Sequence, residues 1–229
     1  KIAPQFMGAG EFKEGLAAVF IRSDKGFRKF GFIDESGKLI IPATYTQANG
    51  FSEGLAAVKS GDVWGFIDHA GVWKIPASFE DVRDFSEGLA AIKTQGRWGF
   101  VDRLGLFLIQ PRFDDAKSFA NERAPAKLGL AWGYIDRLGK WVVEPKWSAA
   151  GIFSEGLAAV DGGFIDPQGK MMIVSKAFGK LRDFSEGLAA VEVRAPKKSV
   201  SNSWGYIDHT GKFVVPPRFQ LAWDFKGGL

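Results

Sequence analysis

Phe51-Ser52-Glu53-Gly54-Leu55-Ala56-Ala57-Val58, followed by Trp64-Gly65-Phe66-Ile67-Asp68, is the stretch whose reading decides the fold. The first phrase, or a close variant, begins again at Phe12, Phe85, Phe119, Phe153 and Phe184, and a clipped seventh begins at Phe225. An aromatic-Gly-aromatic-aliphatic-Asp pentad follows each of the six, starting at Phe30, Trp64, Trp98, Trp132, Gly162 (where Gly replaces the aromatic) and Trp204. A period of about 34 residues, as from Phe51 to Phe85 to Phe119, marks a stacked or circular array, because one such unit cannot bury its apolar face alone.

The spacing separates a rigid part of the unit from a loose one. From the first pentad residue to the next unit-opening Phe is 21 residues in five units and 22 in the one that starts at Gly162. From the opening Phe to the pentad is 18, 13, 13, 13, 9 and 20. Insertions are tolerated at loop tips and not within packed elements, so one loop per unit carries nearly all the length change. Such loops tend to share a face, often the binding face.

The rigid part reads as β-structure. Leu55 to Val58, Leu89 to Ile92 and Leu188 to Val191 are short apolar strands, and the pentads form a second strand. Asp-x-x-Gly follows, as at Asp34/Gly37, Asp68/Gly71, Asp102/Gly105, Asp136/Gly139, Asp166/Gly169 and Asp208/Gly211. The carboxylate can accept local N–H groups and Gly can take positive φ, which is hairpin chemistry. A third strand carries Leu39, Trp73, Phe107, Trp141, Met171 or Phe213 and ends near Pro in most units. The aromatics Tyr45, Phe79, Phe113 and Trp147 then lie six residues before an opening Phe, with a small or aliphatic residue halfway. Spacing three suggests a 3₁₀ turn or tight loop there. The expectation is an all-β protein, one domain over residues 1–229, of six antiparallel, roughly three-stranded units. They form a circular or strongly curved propeller- or rotor-like array, with an open β-solenoid as the alternative.

F-S-E-G-L-A-A-V followed by W-G-F-I-D, x-x-G-K and a strand ending in Pro resembles the bacterial WG-repeat (KWG-repeat) family, from Lys1 to Leu229. The resemblance implies a β-repeat architecture without catalytic machinery, often within larger bacterial proteins, and transfers no catalytic residue. Two units depart from the pattern. Unit four reads Phe119-Ala120-Asn121-Glu122-Arg123-Ala124-Pro125-Ala126, and unit five has Gly162 for Trp, the shortest loop, and Ser175 in the Pro phase. Relaxed packing is the favoured explanation, release for contact the other.

The composition excludes several chemistries. Zero cysteines removes disulfides, zinc-thiolate sites and thiol catalysis. No apolar run approaches the roughly 20 residues of a helical membrane span. The net charge of +4 is mainly a solubility statement, and with no dense basic stripe nucleic-acid binding is disfavoured. No signal peptide is visible and the chain opens within a partial unit, so we expect a trimmed or processed product. An envelope or secreted location is favoured over the cytoplasm. Glu14, Glu53, Glu87, Glu155 and Glu186 share one phase and six Asp share another. A catalytic pair needs two carboxylates in different environments, whereas these repeat one environment. We read the Asp as hairpin closers and the Glu as caps on N–H groups near their own following Gly. His69 and His209 fall at turns, where exposure is the norm. No enzyme activity, cofactor or metal is expected.

The expected function is therefore a scaffold that engages a protein or peptide through the variable-loop face. The candidate contacts are Arg22, Lys25, Arg28 and Lys29 of the first long loop and Arg194, Lys197 and Lys198 of the last, which would form one positive patch if the array closes. The pentad Trp residues are expected to be core pillars. Trp147 and Trp223 are less regular and support the alternative, an envelope carbohydrate or peptidoglycan binder using exposed aromatic rings.

Overall fold

The structure, a computed structural model, describes residues 5–22, 26–195 and 202–226. Every regular element among them is a β-strand. The chain divides into two compact units, Lys1–Ser118 and Phe119–Leu229.

The first unit holds three sheets. β1 (Gly8–Lys13), β2 (Leu16–Arg22), β3 (Arg28–Asp34) and β4 (Leu39–Tyr45) pair in sequence order. So do β5 (Gln47–Ser52), β6 (Leu55–Ser60), β7 (Val63–Ile67) and β8 (Trp73–Phe79), and then β9 (Asp81–Val82), β10 (Ala90–Thr94), β11 (Arg97–Val101) and β12 (Phe107–Phe113). β13 (Asp115–Ala116) lies just before the unit's end. In the second unit β14 (Ala124–Leu128), β15 (Ala131–Ile135) and β16 (Trp141–Trp147) pair in order, as do β17 (Ala158–Val160), β18 (Gly163–Ile165) and β19 (Met171–Val174). The last sheet is β20 (Phe178–Leu181), β21 (Ala189–Val193), β22 (Ser203–Ile207) and β23 (Phe213–Phe219). All pairings are antiparallel, so each sheet is a simple meander.

The three-strand expectation is corrected. The segment read as a 3₁₀ turn is a further strand, β5 between Gln47 and Ser52 and β9 at Asp81–Val82. Its apolar residues at spacing three stay on one side because the strand bulges, as between Ala48 and Phe51. A period of three in a bulged strand mimics a helical turn.

A two-residue turn joins the first strand to the second. Glu53 and Gly54 take φ of 53° and 81°, and Ser86 and Leu89 exchange backbone hydrogen bonds of 2.9 and 3.1 Å around the equivalent turn. Two successive left-handed residues make the type I′ geometry that matches strand twist. In unit four Asn121 and Glu122 hold φ of 50° and 59°, and Ala120 and Arg123 still exchange both bonds. The turn survives the loss of its glycine. Unit five departs further, because its sheet has three strands and its hairpin is the tightest.

The Gly of the pentad has a steric cause. β8 bulges over β7 between the pairs Trp64↔Phe79 and Phe66↔Ile75, so its backbone presses onto Gly65. A Cβ there would sit 2.6 Å from both the Ile75 oxygen and the Ala77 nitrogen. Backbone cannot yield to that contact, so only Gly fits.

Neighbouring sheets bury each other's faces. Phe66, Ile75 and Phe79 of the second sheet pack with Ala90, Ile92 and Val101 of the third. Tyr134, Val143 and Trp147 likewise pack with Ala158, Val160 and Ile165. The second and third strands are buried on both sides, whereas the fourth is buried on one, with Val143 covered and Val142 exposed. The alanines are the thin side of each junction, where a bulkier side chain would separate the sheets.

Trp98 is 3% exposed and lies under the Arg83 guanidinium, which is 4.6 Å from the ring centroid. The pentad Trp is thus a pillar. Trp98→Ala is expected to lower unfolding free energy by about 3–5 kcal/mol, the range for truncating a buried large aromatic. Urea unfolding measures it, and a loss under about 1 kcal/mol would contradict the assignment.

Candidate functional site

Strand alternation gives each sheet two unlike ends. The Ser-Glu-Gly-Leu turn and the Asp-x-x-Gly turn lie at one end, and the hairpin between second and third strands lies at the other.

The turn end is tied from sheet to sheet. Glu14 accepts the Gly54 N–H at 3.0 Å, Glu53 that of Gly88 at 2.9 Å, and Glu155 that of Gly187 at 3.1 Å. The Glu thus caps the glycine of the following unit and not its own, which corrects the sequence expectation. The preceding Ser does the same with its hydroxyl. Ser52 donates to the Phe85 carbonyl at 2.8 Å, Ser154 to Phe184 at 2.6 Å and Ser185 to Phe225 at 2.7 Å. His69 and His209 belong to this lattice. Each stacks on its unit's opening Phe, with ring centroids 4.2 and 4.3 Å apart, and each places Nε2 3.2 Å from the Glu of the preceding unit. His69 is half-buried and His209 is exposed, and both are tied into the junction.

The repeated Asp carboxylates close their hairpins as expected. Asp68 accepts the N–H groups of Ala70 and Val72, both at 2.9 Å, and pairs with Lys74 at 3.1 Å. The Val72 N–H, aided by Lys74, holds this carboxyl below its ordinary value. Asp34 and Asp208 are lowered chiefly by the hydroxyls of Ser36 and Thr210. Burial raises the Tyr134 hydroxyl far above its usual value, and it donates to the Gly151 carbonyl at 3.0 Å. Among the described residues no group of three or more His, Cys, Asp or Glu is placed to hold a metal.

The other end is where the unequal hairpins emerge, one per sheet, between β2 and β3, β6 and β7, β10 and β11, β14 and β15, β17 and β18, and β21 and β22. In the first hairpin Arg22 and Arg28 are direct cross-strand partners, and both are exposed. The Arg28 guanidinium lies 4.9 Å from the Phe20 ring centroid. Lys29 is half-buried and donates to the Thr44 carbonyl at 3.2 Å. The fold therefore brings three predicted basic residues together. Arg194 is exposed at the mouth of the last hairpin in the second unit. Lys25, Lys197 and Lys198 lie outside the described residues.

The two aromatic candidates part company. Trp147 is 8% exposed, pairs across the sheet with Trp132 and packs on Tyr134 with ring centroids 5.9 Å apart. It is a core residue and cannot serve as an exposed platform, because the following sheet covers it. Trp223 is 66% exposed, with the Arg182 guanidinium 4.8 Å from its ring centroid.

Sequence reasoning missed the apolar hairpin tips. Leu128 and Leu130 occupy positions held by Ser60 and Asp62 in unit two, and Leu130 is 89% exposed. Phe27 is exposed at the first hairpin. The signal was available as leucine in a polar turn phase, hidden because Lys127-Leu128-Gly129-Leu130 continues an apolar strand pattern. Beside the third hairpin a cavity of ≈ 490 Å³ is lined by Phe79, Gln95, Arg97, Phe107, Gln110 and Pro111, among others.

The WG containing repeat family matches residues 30–64, 64–98, 98–129, 132–161, 163–194 and 204–229. The chain belongs to this family. No curated protein matches it. Among solved structures, a eukaryotic initiation factor is similar at 13% identity and TM-score 0.50, over 95% of this chain and 78% of that one. The extracellular domain described as part of a hybrid two component system of B. thetaiotaomicron is similar at 12% identity and TM-score 0.49, over 95% of this chain and 36% of that one. PorZ, a surface component of the type-IX secretion system of Porphyromonas gingivalis, is similar at 12% identity and TM-score 0.31, over 86% of this chain and 37% of that one. The likeness to the initiation factor concerns the fold alone.

Two outcomes are expected from this geometry. Trp147→Ala destabilises by about 3–5 kcal/mol, whereas Trp223→Ala shifts stability by less than about 1 kcal/mol. Paired urea titrations decide it, and equal losses would contradict the placement. The Asp68 carboxyl is lower in the folded chain than in the unfolded one, so its contribution is complete above about pH 4 and is lost as pH falls through the folded value. Asp68→Asn should therefore be less stable than the parent at pH 6, with the gap closing at pH 3. A gap that widens on acidification would reverse the sign.

Proposed function

We propose that the chain is a non-enzymatic scaffold that engages a protein or peptide partner through its variable hairpin ends, on sheets set in a circular or strongly curved array. The observation that carries this reading is the asymmetry of the sheet ends. Glu and Ser tie one end from sheet to sheet, while the hairpins at the other end vary in length from unit to unit. A rigid frame with adjustable tips is how repeat proteins assemble broad contact surfaces from many shallow contacts. Arg22 and Arg28 face each other as like charges, a mutually repulsive pair that an acidic partner group would relieve.

A photo-crosslinking residue placed at position 130, or at position 138 of the opposite end, tests this reading in cell extract. Discrete crosslinks from 130, absent from 138 and lost in the Leu128→Ser/Leu130→Asp chain with its unfolding midpoint unchanged, are expected. Equal crosslinking from both ends would remove the assignment. A second reading, a carbohydrate or peptidoglycan binder of the cell envelope, is favoured by the exposed ring of Trp223. Saturable glycan binding abolished by Trp223→Ala would put it first.

A further inference from the structure

The six units are near copies, so a place where one of them departs from the pattern at several positions at once answers a demand that the shared fold does not make. The cleft beside the third hairpin is such a place, and it lies wholly within the first compact unit. Gln95 holds a left-handed φ of 51° where Gly61 and Gly129 stand at the matching turns of units two and four. A side chain there bears a backbone cost that glycine avoids. Gln110, on β12, stands where Pro42 and Pro76 stand on β4 and β8.

The cleft is also less filled than its counterpart one sheet earlier. Trp73, which opens β8, meets Tyr45 of the preceding sheet edge-on, with ring centroids 5.8 Å apart. Phe107 opens β12 in the same phase and is 39% exposed, and among the described residues it makes no such ring contact with Phe79. Both rings line the cavity of ≈ 490 Å³, a volume within the range of small-ligand sites, about 300–1,000 Å³. Thr94, Gln95 and Gln110 bring polar side chains to its walls, and among the described residues neither glutamine amide bonds to another group of the chain. Arg97 is the one charged residue of this lining, and its guanidinium donates to the Asp114 carboxylate.

We propose that this cleft is a binding site for a short neutral saccharide. Sugar hydroxyls both donate and accept hydrogen bonds, as do the two amides and the Thr94 hydroxyl. The exposed Phe107 ring offers its electron-rich face to the C–H groups of a pyranose. With Arg97 neutralised by Asp114, the lining carries no net charge to favour a phosphate, sulfate or carboxylate. Pro111 interrupts the donors of β12, the outermost strand of its sheet, which disfavours an extended peptide added at that edge. The site uses neither Trp223 nor the Leu128/Leu130 tip, and it takes a ligand class other than the protein partner of the hairpin ends.

Saturation-transfer NMR on the intact chain tests it, with cellotriose, maltotriose, mannotriose and chitotriose as probes beside trialanine, adenosine and a sulfated disaccharide. At least one neutral trisaccharide is expected to bind saturably, and Gln110→Ala should weaken it about tenfold, as loss of a ligand hydrogen bond does. Gln95→Gly should weaken it to a similar degree without lowering the unfolding midpoint, since glycine holds that place at Gly61 and Gly129. Phe107→Leu, which gives unit three the residue type of Leu39, should weaken it as well. The Trp223→Ala chain and the Leu128→Ser/Leu130→Asp chain are expected to bind the sugar as the parent does, whether or not the hairpin tips engage a protein. Failure of every neutral trisaccharide to bind overturns the proposal, as does binding indifferent to Gln95→Gly and Gln110→Ala or binding lost with Trp223→Ala. Trialanine, adenosine or the sulfated disaccharide bound in place of the neutral sugars, and weakened by the same variants, would overturn the ligand class.

Discussion

The fold depends on burial between consecutive sheets. No single meander has a core of its own, so the aromatic face of one sheet must be closed by the alanine-valine face of the next. That face must be thin, because rings such as Phe66 and Phe85 already fill the gap. The alanines, the Gly of the pentad and the bulge of the fourth strand all answer this one demand for close approach.

The polar residues of the motif serve the same contact. An apolar junction is not directional and would tolerate sliding, whereas hydrogen bonds have short range and fixed geometry. Glu53 reaching the Gly88 N–H and Ser52 reaching the Phe85 carbonyl set the register between two faces that hydrophobicity alone would leave loose. The turn places the Glu in a left-handed conformation, which aims its carboxylate away from its own strand. His69 adds an aromatic surface to Phe51 and a second partner for the Glu14 carboxylate oxygen that accepts the Gly54 N–H. Residues that would suggest acid-base chemistry in isolation are consumed by assembly.

Tying one end releases the other. At the far end the hairpins bond to the connection just before their own sheet, as Thr46 to Gly61 and Gly96 to Glu80, so their length and chemistry can drift without unpicking the core. Leucines in unit four and arginines in unit one occupy one structural position in their sheets.

The repeat, the strand content, the Asp hairpins and the single variable loop could be read from residue order because each is local, expressed as a phase within about 34 residues. The opening strand of each sheet could not, since a bulge, as between Ala48 and Phe51, converts its alternation into spacing three. Nor could the partner of each Glu, because Gly54 is as near to Glu53 in sequence as Gly88 is near to it in space. Exposure was the hardest to foresee. Trp147 and Trp223 look alike as isolated aromatics, and only the presence of a covering sheet over one of them makes it core and leaves the other open. Residue order carried the strands and turns of each unit, and tertiary packing alone decided which faces remain for a partner.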